Sequence, residues 1–363
     1  MRRFKIAAVV GARPQFIKAA AIVRAHRAAA FKKKLDIFWV HTGQHYEHRL
    51  SRIFFKELLI PTPKYNLGVG SLPQGAQTGL MMWKLEDVLL REKPQGVLLF
   101  GDTNSTLAGA LAAAKLNLPV FHVEAGLRSH NFRMPEEINR ILTDRLSELL
   151  FCPTPGALRE LKKEGLEKKA RIVGDVMADI LYAYKGEPKR ARQKPYYLAT
   201  IHRNTNTDDP VRLEKILKAL GGLGQKTVLP LHPRTRDKIK RSKRLRRLLR
   251  SLTQLHLREP ASYLEMLALE KNAGGIITDS GGVQKEAYLF GVPCVTLRRE
   301  TEWPETVRRG MNTLCEPDAA AILKAFKKMQ GPARRKQAPL YGRGDASQKI
   351  LKAVIGHLSG RGR

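Results

Sequence analysis

The sequence predicts an α/β chain built as two doubly wound domains with a cleft between them, and three observations carry that prediction. Short apolar runs alternate with helical stretches through Cys152, and the same alternation begins again near Pro195. Acidic residues stand at the ends of two successive runs, where a parallel sheet exposes its carboxyl edge. The length of 363 residues and the 43% hydrophobic content suffice for two packed cores.

The first strand is expected at residues 6–10. The start, Met1-Arg2-Arg3-Phe4-Lys5 before Ile6-Ala7-Ala8-Val9-Val10, has the form of a signal peptide. Its apolar stretch is too short, however, and runs directly into Gly11-Ala12-Arg13. Further strands are expected at residues 37–40, 97–100, 120–123 and 149–152. The run Val97-Leu98-Leu99-Phe100 closes with Gly101-Asp102-Thr103-Asn104-Ser105-Thr106, and Val120-Phe121-His122-Val123 closes with Glu124-Ala125-Gly126-Leu127-Arg128-Ser129. Residues 107–116 between them are rich in alanine and leucine, which predicts a helix ending before Pro119. Strand, helix and strand of these lengths form a right-handed parallel crossover, so Asp102 and Glu124 face one crevice. Two acids so placed suggest proton chemistry. Pro135-Glu136-Glu137 then suits the first turn of a helix.

In the second half, strands are expected at residues 196–201, 227–231, 255–257, 275–278 and 293–297. Ile276-Ile277-Thr278 runs into Asp279-Ser280-Gly281-Gly282, and residues 283–290 continue as a helix. A strand, a two-glycine turn and a helix N-terminus offer free N–H groups to a phosphate, with the Ser280 hydroxyl beside them. A plain tight turn is the competing reading, and the placement between strand and helix puts the anion site level with it. Glu286 lies about one turn into that helix, where it would accept hydrogen bonds from ribose hydroxyls. Arg13 and Lys18 follow the first strand and suit a diphosphate, Arg through its fork and Lys as a point charge. His202-Arg203 follows another strand and would bond a phosphate or move a proton. No Gly-x-Gly-x-x-Gly fingerprint or Walker lysine loop is present, which weighs against nicotinamide cofactors and nucleotide triphosphate hydrolysis.

The formal net charge is +33. It is spread over interrupted runs, Lys189-Arg190-Ala191-Arg192, residues 238–250 and Arg334-Arg335-Lys336, without interleaved aromatic residues. Leu245, Leu248 and Leu249 recur at helical spacing within residues 236–250, which predicts one solvated basic helix docked by a single face. Nucleic-acid binding is therefore expected to be at most non-specific. Cys152, Cys294 and Cys315 are widely spaced, odd in number and near apolar runs, so reduced buried thiols and a cytoplasmic address are expected, with no metal cluster. No segment approaches the ~20 apolar residues that span a bilayer. A terminal helix is expected at residues 346–358, with a frayed tail over residues 359–363.

Taken together, these motifs resemble the non-hydrolysing UDP-N-acetylglucosamine 2-epimerases over nearly the whole chain. The likeness rests on Gly11-Ala12-Arg13-Pro14, His41-Thr42-Gly43-Gln44-His45, the Gly101 to Thr106 and His122 to Ser129 segments, Pro135-Glu136-Glu137-Ile138-Asn139-Arg140, His202-Arg203 and Thr278-Asp279-Ser280-Gly281-Gly282-Val283-Gln284. The resemblance implies a fold like glycosyltransferase B, two Rossmann-like domains with the active site in the interdomain cleft, commonly a homodimer. Expected domains are residues 1–175 and 176–345, with the helix over 346–363 packing back on the first. It further implies C2 proton removal as UDP leaves from C1, a 2-acetamidoglucal intermediate, and re-addition of UDP after reprotonation on the opposite face. Carried over, Asp102, Glu124 and Glu136 are the acid/base candidates and His202 assists at the departing phosphate. Arg13, Lys18 and Arg140 would hold the diphosphate and sugar, and Ser280, Gly281, Gly282 and Glu286 would hold UDP. No cofactor or metal is called for. Three clustered carboxylates are expected to raise one another's pKa. Departures from the family pattern stand at Arg203-Asn204-Thr205-Asn206, at Trp303, where the better-known members carry arginine, and at Met266, where an aromatic often covers uracil. Ala76 and Glu47 replace the arginine and glutamine of substrate-activated members, which implies weak or absent activation. A modified UDP-amino sugar as substrate, a hydrolysing 2-epimerase, a retaining glycosyltransferase of the same fold and a basic polymer binder stay open at this level.

Overall fold

The apolar runs form parallel strands in two separate sheets. The computed structural model describes residues 3–44, 55, 57–184, 196–329 and 339–361. The first sheet contains β1 (Phe4–Val10), β2 (Leu35–His41), β3 (Tyr65–Asn66), β4 (Gly96–Phe100), β5 (Val120–Val123), β6 (Leu149–Cys152) and β7 (Ala170–Ile172), in the order β3-β2-β1-β4-β5-β6-β7. The second contains β8 (Tyr197–Thr200), β9 (Thr227–Pro230), β10 (Leu255–Arg258), β11 (Gly275–Thr278), β12 (Cys294–Thr296) and β13 (Asn312–Leu314), in the order β10-β9-β8-β11-β12-β13. Every pairing is parallel. Strands covered on both faces are apolar throughout rather than alternating, which explains runs such as Val97-Leu98-Leu99-Phe100, all fully or nearly fully buried. β3, β7 and β13 were not expected from sequence. Each is two or three residues long and sits at a sheet edge, too short to show a period.

The strand order reverses between β1 and β4 in the first sheet and between β8 and β11 in the second. Connections leave such neighbours in opposite directions, so a crevice opens at their carboxyl ends. The segments beginning at Gly11 and Gly101 leave one reversal, and those beginning at Ile201 and Asp279 leave the other. Close packing keeps the first in place: a Cβ on Gly109 of the helix Asn104–Lys115 would lie 2.7 Å from Leu99 of β4, so only glycine lets the helix sit this near the sheet.

Contacts divide the chain into Met1–Lys185 with Pro339–Arg363, and Gly186–Ala338. The helix Val176–Ala183, which the 175/176 boundary gave to the second domain, belongs to the first unit. It packs on the helices Arg13–His26 and Ala346–Arg361, and its Asp179 accepts N–H bonds from Ala346 and Ser347 at 3.1 and 2.7 Å. The last helix reaches Arg361 instead of fraying at Ser359, because His357 and Arg361 hold the two oxygens of Glu148 at 2.8 and 2.5 Å. The single basic helix is two, Pro233–Arg241 and Lys243–Ser251, divided at Ser242, whose hydroxyl accepts from Leu245 N and caps the second. Leu245, Leu248 and Leu249 pack on the second unit's core.

All three cysteines are free and buried, and burial pushes the Cys152 and Cys294 thiols up to about 12. Among the described residues, no helix is long and apolar enough to cross a membrane, and no group of three or more His, Cys, Asp or Glu could hold a metal ion. His45, Glu47, Lys189-Arg190-Ala191-Arg192 and Arg334-Arg335-Lys336 lie outside the described residues.

Candidate active site

In the first unit, Asp102 and Glu124 leave the ends of adjacent strands and each meets its own cation. Asp102 Oδ2 accepts from Arg140 Nη2 at 2.6 Å, and Glu124 pairs with Lys18. Gly101, at φ +64°, makes room for the second pair: a Cβ there would lie 2.7 Å from Lys18 Nζ and 3.4 Å from Glu124 Oε2. Glu124 itself holds φ +72°, a conformation that L-residues avoid and that concentrates at functional sites. Opposite charges thus stand against two of the three expected carboxylates. Lys18 and Arg140, expected to meet substrate, are the compensating cations.

Glu136 and Glu137 part company on the helix Pro135–Leu146. Glu136 is exposed, and no hydrogen bond or ion pair joins it to Asp102 or Glu124 among the described residues. Glu137 is buried, accepts from Ser129 N, Ser129 Oγ and His130 N at 2.9–3.1 Å, and pairs with Arg140 Nη1 at 2.6 Å. Burial pushes its pKa up, but the two backbone N–H groups and the Arg140 charge outweigh that and hold it below the ordinary value. Glu137 therefore anchors Arg140, which in turn faces Asp102. Asn139 adds a bond from Nδ2 to Asp102 O at 3.0 Å.

His122 joins the turns that carry the two acids. Its Nδ1 lies 2.7 Å from Asp144 Oδ1 and its Nε2 lies 2.7 Å from Gly101 O. The same Asp144 carboxylate also receives Gly126 N at 3.1 Å and Arg128 Nη2 at 2.8 Å, so it gathers three elements around the His122 ring. Gln15 does related work at the sheet reversal: its Oε1 accepts from Gly11 and Ala12 N–H groups, and its Nε2 donates to Phe100 O at 2.9 Å. Arg13 opens the helix beginning there and is half-buried. Gly11 must be glycine, because Ser105 Oγ and Thr42 Oγ1 would each lie 2.1 Å from a Cβ.

In the second unit, Asp279 is the organiser. Fully buried, it accepts from His202 N and Arg203 N at 3.0–3.1 Å, and His202 Nδ1 lies 3.2 Å from its Oδ1. This sets the His202 ring on the His232 ring at 5.3 Å between centroids. Next to it, Ser280 is the N-cap of the helix Gly281–Phe290 and makes no side-chain cap bond, so Ser280, Gly281 and Gly282 form an open helix start. Glu286 is buried further along and accepts from Tyr263 Oη at 3.2 Å. Trp303, the departure noted above, is buried, with Lys285 Nζ 4.2 Å from its ring centroid. Arg298 grips Glu302 through two bonds of 2.9 Å.

Sequence reasoning passed over Gln15, His122, Glu137, Asp144 and Asp279. Spacing held a signal for Glu137: with Arg140, Thr143 and Asp144 it forms a polar stripe at helical period, and those residues are buried while Ile138 and Leu142 are exposed.

Comparison with known proteins gives this geometry a context. The family model described as UDP-N-acetylglucosamine 2-epimerase matches residues 27–355. The UDP-2,3-diacetamido-2,3-dideoxy-D-glucuronate 2-epimerase of Pseudomonas aeruginosa is 48% identical over 96% of this chain and 98% of that protein. The UDP-N-acetylglucosamine 2-epimerase of Methanocaldococcus jannaschii is 42% identical over 96% of this chain and 98% of its own length. A crystal structure of the UDP-GlcNAc 2-epimerase of that organism, in complex with UDP-GlcNAc and UDP, covers 97% of this chain and 100% of its own with a TM-score of 0.87 at 40% identity. The two doubly wound units are those of a glycosyltransferase B-like fold. The chain belongs to the UDP-N-acetylglucosamine 2-epimerase family.

Proposed function

We propose that the chain inverts C2 of a UDP-2-acetamido sugar reversibly and without net hydrolysis, interconverting UDP-N-acetylglucosamine and UDP-N-acetylmannosamine. The observation that carries this is the pair of carboxylates, Asp102 and Glu124, at neighbouring strand ends, each paired with a cation. Carboxylates poised beside a sugar ring serve as base and acid on its faces.

The proposed reaction balances without a cofactor. The C2 proton passes to a carboxylate, the C–H electron pair forms the C1–C2 double bond, and the C1–O pair leaves with UDP. Return of a proton to the other face of C2 and of UDP to C1 completes the inversion. Glu136 is the third acid/base candidate; its exposed side chain has no fixed partner among the described residues. His202, held by Asp279, would stabilise the departing phosphate, with Arg13 as a further cation for the diphosphate. The N–H groups at Ser280, Gly281 and Gly282 suit phosphate oxygens, and Glu286 suits the ribose. Lys18 and Arg140 serve first as partners of the acids, and each must share its charge when substrate arrives.

A second substrate is favoured by one observation, the 48% identity to an epimerase of a diacetamido uronate. Both substrates share UDP and the 2-acetamido group at the inverted carbon. Proton NMR in deuterated water, with each UDP-sugar offered separately, tests the proposal. Growth of the manno epimer with deuterium at C2 supports it, the preferred sugar identifies the substrate, and release of the free amino sugar overturns the non-hydrolysing reading.

A further inference from the structure

Two buried carboxyl groups meet behind the Ser280 turn. Glu270 on the helix Tyr263–Asn272 is 1% exposed and Glu286 on the helix Gly281–Phe290 is 5% exposed, and the two side chains lie close enough to interact. The two helices pack together over Leu198, Val228, Ile276, Ala287 and Cys294. A hydrogen bond between two carboxyl groups requires a proton on one of them, because an ionised carboxylate only accepts. The structure tells which. Glu286 receives the Tyr263 hydroxyl at 3.2 Å, whereas Glu270 Oε2 has no hydrogen-bond partner among the described residues. A buried anion with an unmet oxygen is the more costly species, so the proton resides on Glu270. Burial first, and then the neighbouring Glu286, push the Glu270 pKa well above its usual value.

The other titratable and charged groups nearby leave this pair as the one that changes charge. Tyr196, ahead of β8, donates its hydroxyl to Leu269 O at 2.6 Å, and Cys294 lies on β12; burial raises both to about 12. Tyr263 shares the Glu270 helix. Arg258 of β10 acts on Tyr196, Lys271 follows Glu270, and Lys285 precedes Glu286 with its Nζ at the Trp303 ring.

We propose that Glu270 is a positioning residue: held neutral, it donates its proton to Glu286 and, with Tyr263, fixes the carboxylate that accepts the ribose hydroxyls, so that UDP binds only while this buried proton is present. The proposal rests on the nucleotide reading of the Ser280 turn given above. Ionisation of Glu270 would put a second negative charge behind Glu286, leave the two oxygens repelling each other, and oppose an anionic ligand.

Glu270→Gln keeps a neutral donor of the same shape, and Glu270→Met keeps the volume without a donor. Calorimetric titration of UDP into the intact protein from neutral to alkaline pH should show wild-type affinity falling about tenfold per pH unit beyond the Glu270 titration. Glu270→Gln should bind as wild type does at neutral pH and lack the part of the fall that Glu270 causes, and the ratio of the two affinities at each pH cancels any contribution from the ionisation of UDP itself. Glu270→Met should bind about tenfold more weakly at neutral pH. Infrared difference spectra of the unliganded proteins at neutral pH should show a protonated-carboxyl band present in wild type and missing in Glu270→Gln. Superimposable pH profiles for wild type and Glu270→Gln, or absence of that band, overturn the proposal. No UDP binding at any pH overturns the nucleotide reading and the coupling to it, while the infrared band still decides whether Glu270 holds the proton.

Discussion

Replacing Gly101 by alanine tests whether the Lys18–Glu124 contact matters, because a second glycine supplies the control. Gly101 and Gly165 both lie in the first unit in left-handed backbone, at φ +64° and +73°. An alanine in that conformation costs about 1–2 kcal/mol at either position. At Gly165 nothing lies within 4 Å of the added Cβ, so the backbone term is the whole effect. At Gly101 the Cβ would stand 2.7 Å from Lys18 Nζ, and the ammonium, at the end of a flexible side chain, must leave its position beside Glu124. The pair is nearly buried, its side chains 7% and 9% exposed, and complete separation of a buried pair costs about 3–5 kcal/mol. A domain of this size loses roughly 2–4 °C in melting temperature per kcal/mol. Gly165→Ala should therefore melt a few degrees below wild type, and Gly101→Ala several degrees lower still. Deuterium incorporation at C2 should persist in Gly165→Ala and fall about tenfold or more in Gly101→Ala, because the acid has lost its fixed partner. Scanning calorimetry and proton NMR read the two quantities. Equal melting temperatures with equal exchange would refute the reasoning.

Three further outcomes are expected. Asp102→Asn keeps the shape of the side chain but not its basicity, so C2 exchange should fall by about 10²–10⁴ while UDP affinity stays unchanged; unchanged exchange would remove Asp102 from the chemistry. Glu137 has a folded pKa below its ordinary value, so its stabilisation is complete above the unfolded value near about 4.3 and is lost as pH falls through the folded one. The melting difference between wild type and Glu137→Gln should thus be large at neutral pH and close on acidification, and a difference that grows in acid contradicts the assignment. Trp83 is 67% exposed on the helix Gln74–Glu92, which shares the flanking helix Asn104–Lys115 with the helix that exposes Ile138 and Leu142. If these apolar side chains form the expected homodimer face, Trp83→Glu should shift the mass seen by light scattering from dimer to monomer, and an unchanged mass excludes this face.

The legible part of the fold was the part in which several adjacent residues obey one constraint. Central strands buried on both faces must be apolar throughout, so β4, β5 and β6 stand out in the sequence, while β3, β7 and β13 are too short to do so. Asp102 and Glu124 were legible for the same reason: a charged residue immediately after a buried run marks the exit of a strand. Glu136 drew attention over Glu137 because both suit a first helical turn, and only the helix's orientation separates them. That helix is turned inside out, with Glu137, Asn139, Arg140, Thr143 and Asp144 inward, so the rule that helices bury their apolar side points the wrong way. The domain boundary was missed because the helix Val176–Ala183 is held to the first unit through Ala346 and Ser347, more than 160 residues later. Local pattern carries no trace of such a partner.

Both sheets solve one physical problem in the same way, and this explains why the missed residues matter. Where the strand order reverses, the chains leaving neighbouring strands diverge and can no longer satisfy each other's backbone groups. A buried side chain takes over in each case. Gln15 receives the Gly11 and Ala12 N–H groups and donates to Phe100 O, tying the end of β1 to β4. Asp279 receives the His202 and Arg203 N–H groups, tying the end of β8 to β11. The first tie is neutral and amide-based, and it leaves the charges of Asp102, Glu124 and their cations undisturbed beside it. The second is an anion, and it orients the His202 imidazole, whose Nδ1 lies 3.2 Å from it. The choice of amide in one crevice and carboxylate in the other therefore fits the work proposed for each: proton removal by carboxylates in the first, and in the second a histidine held by a carboxylate to stabilise a departing phosphate.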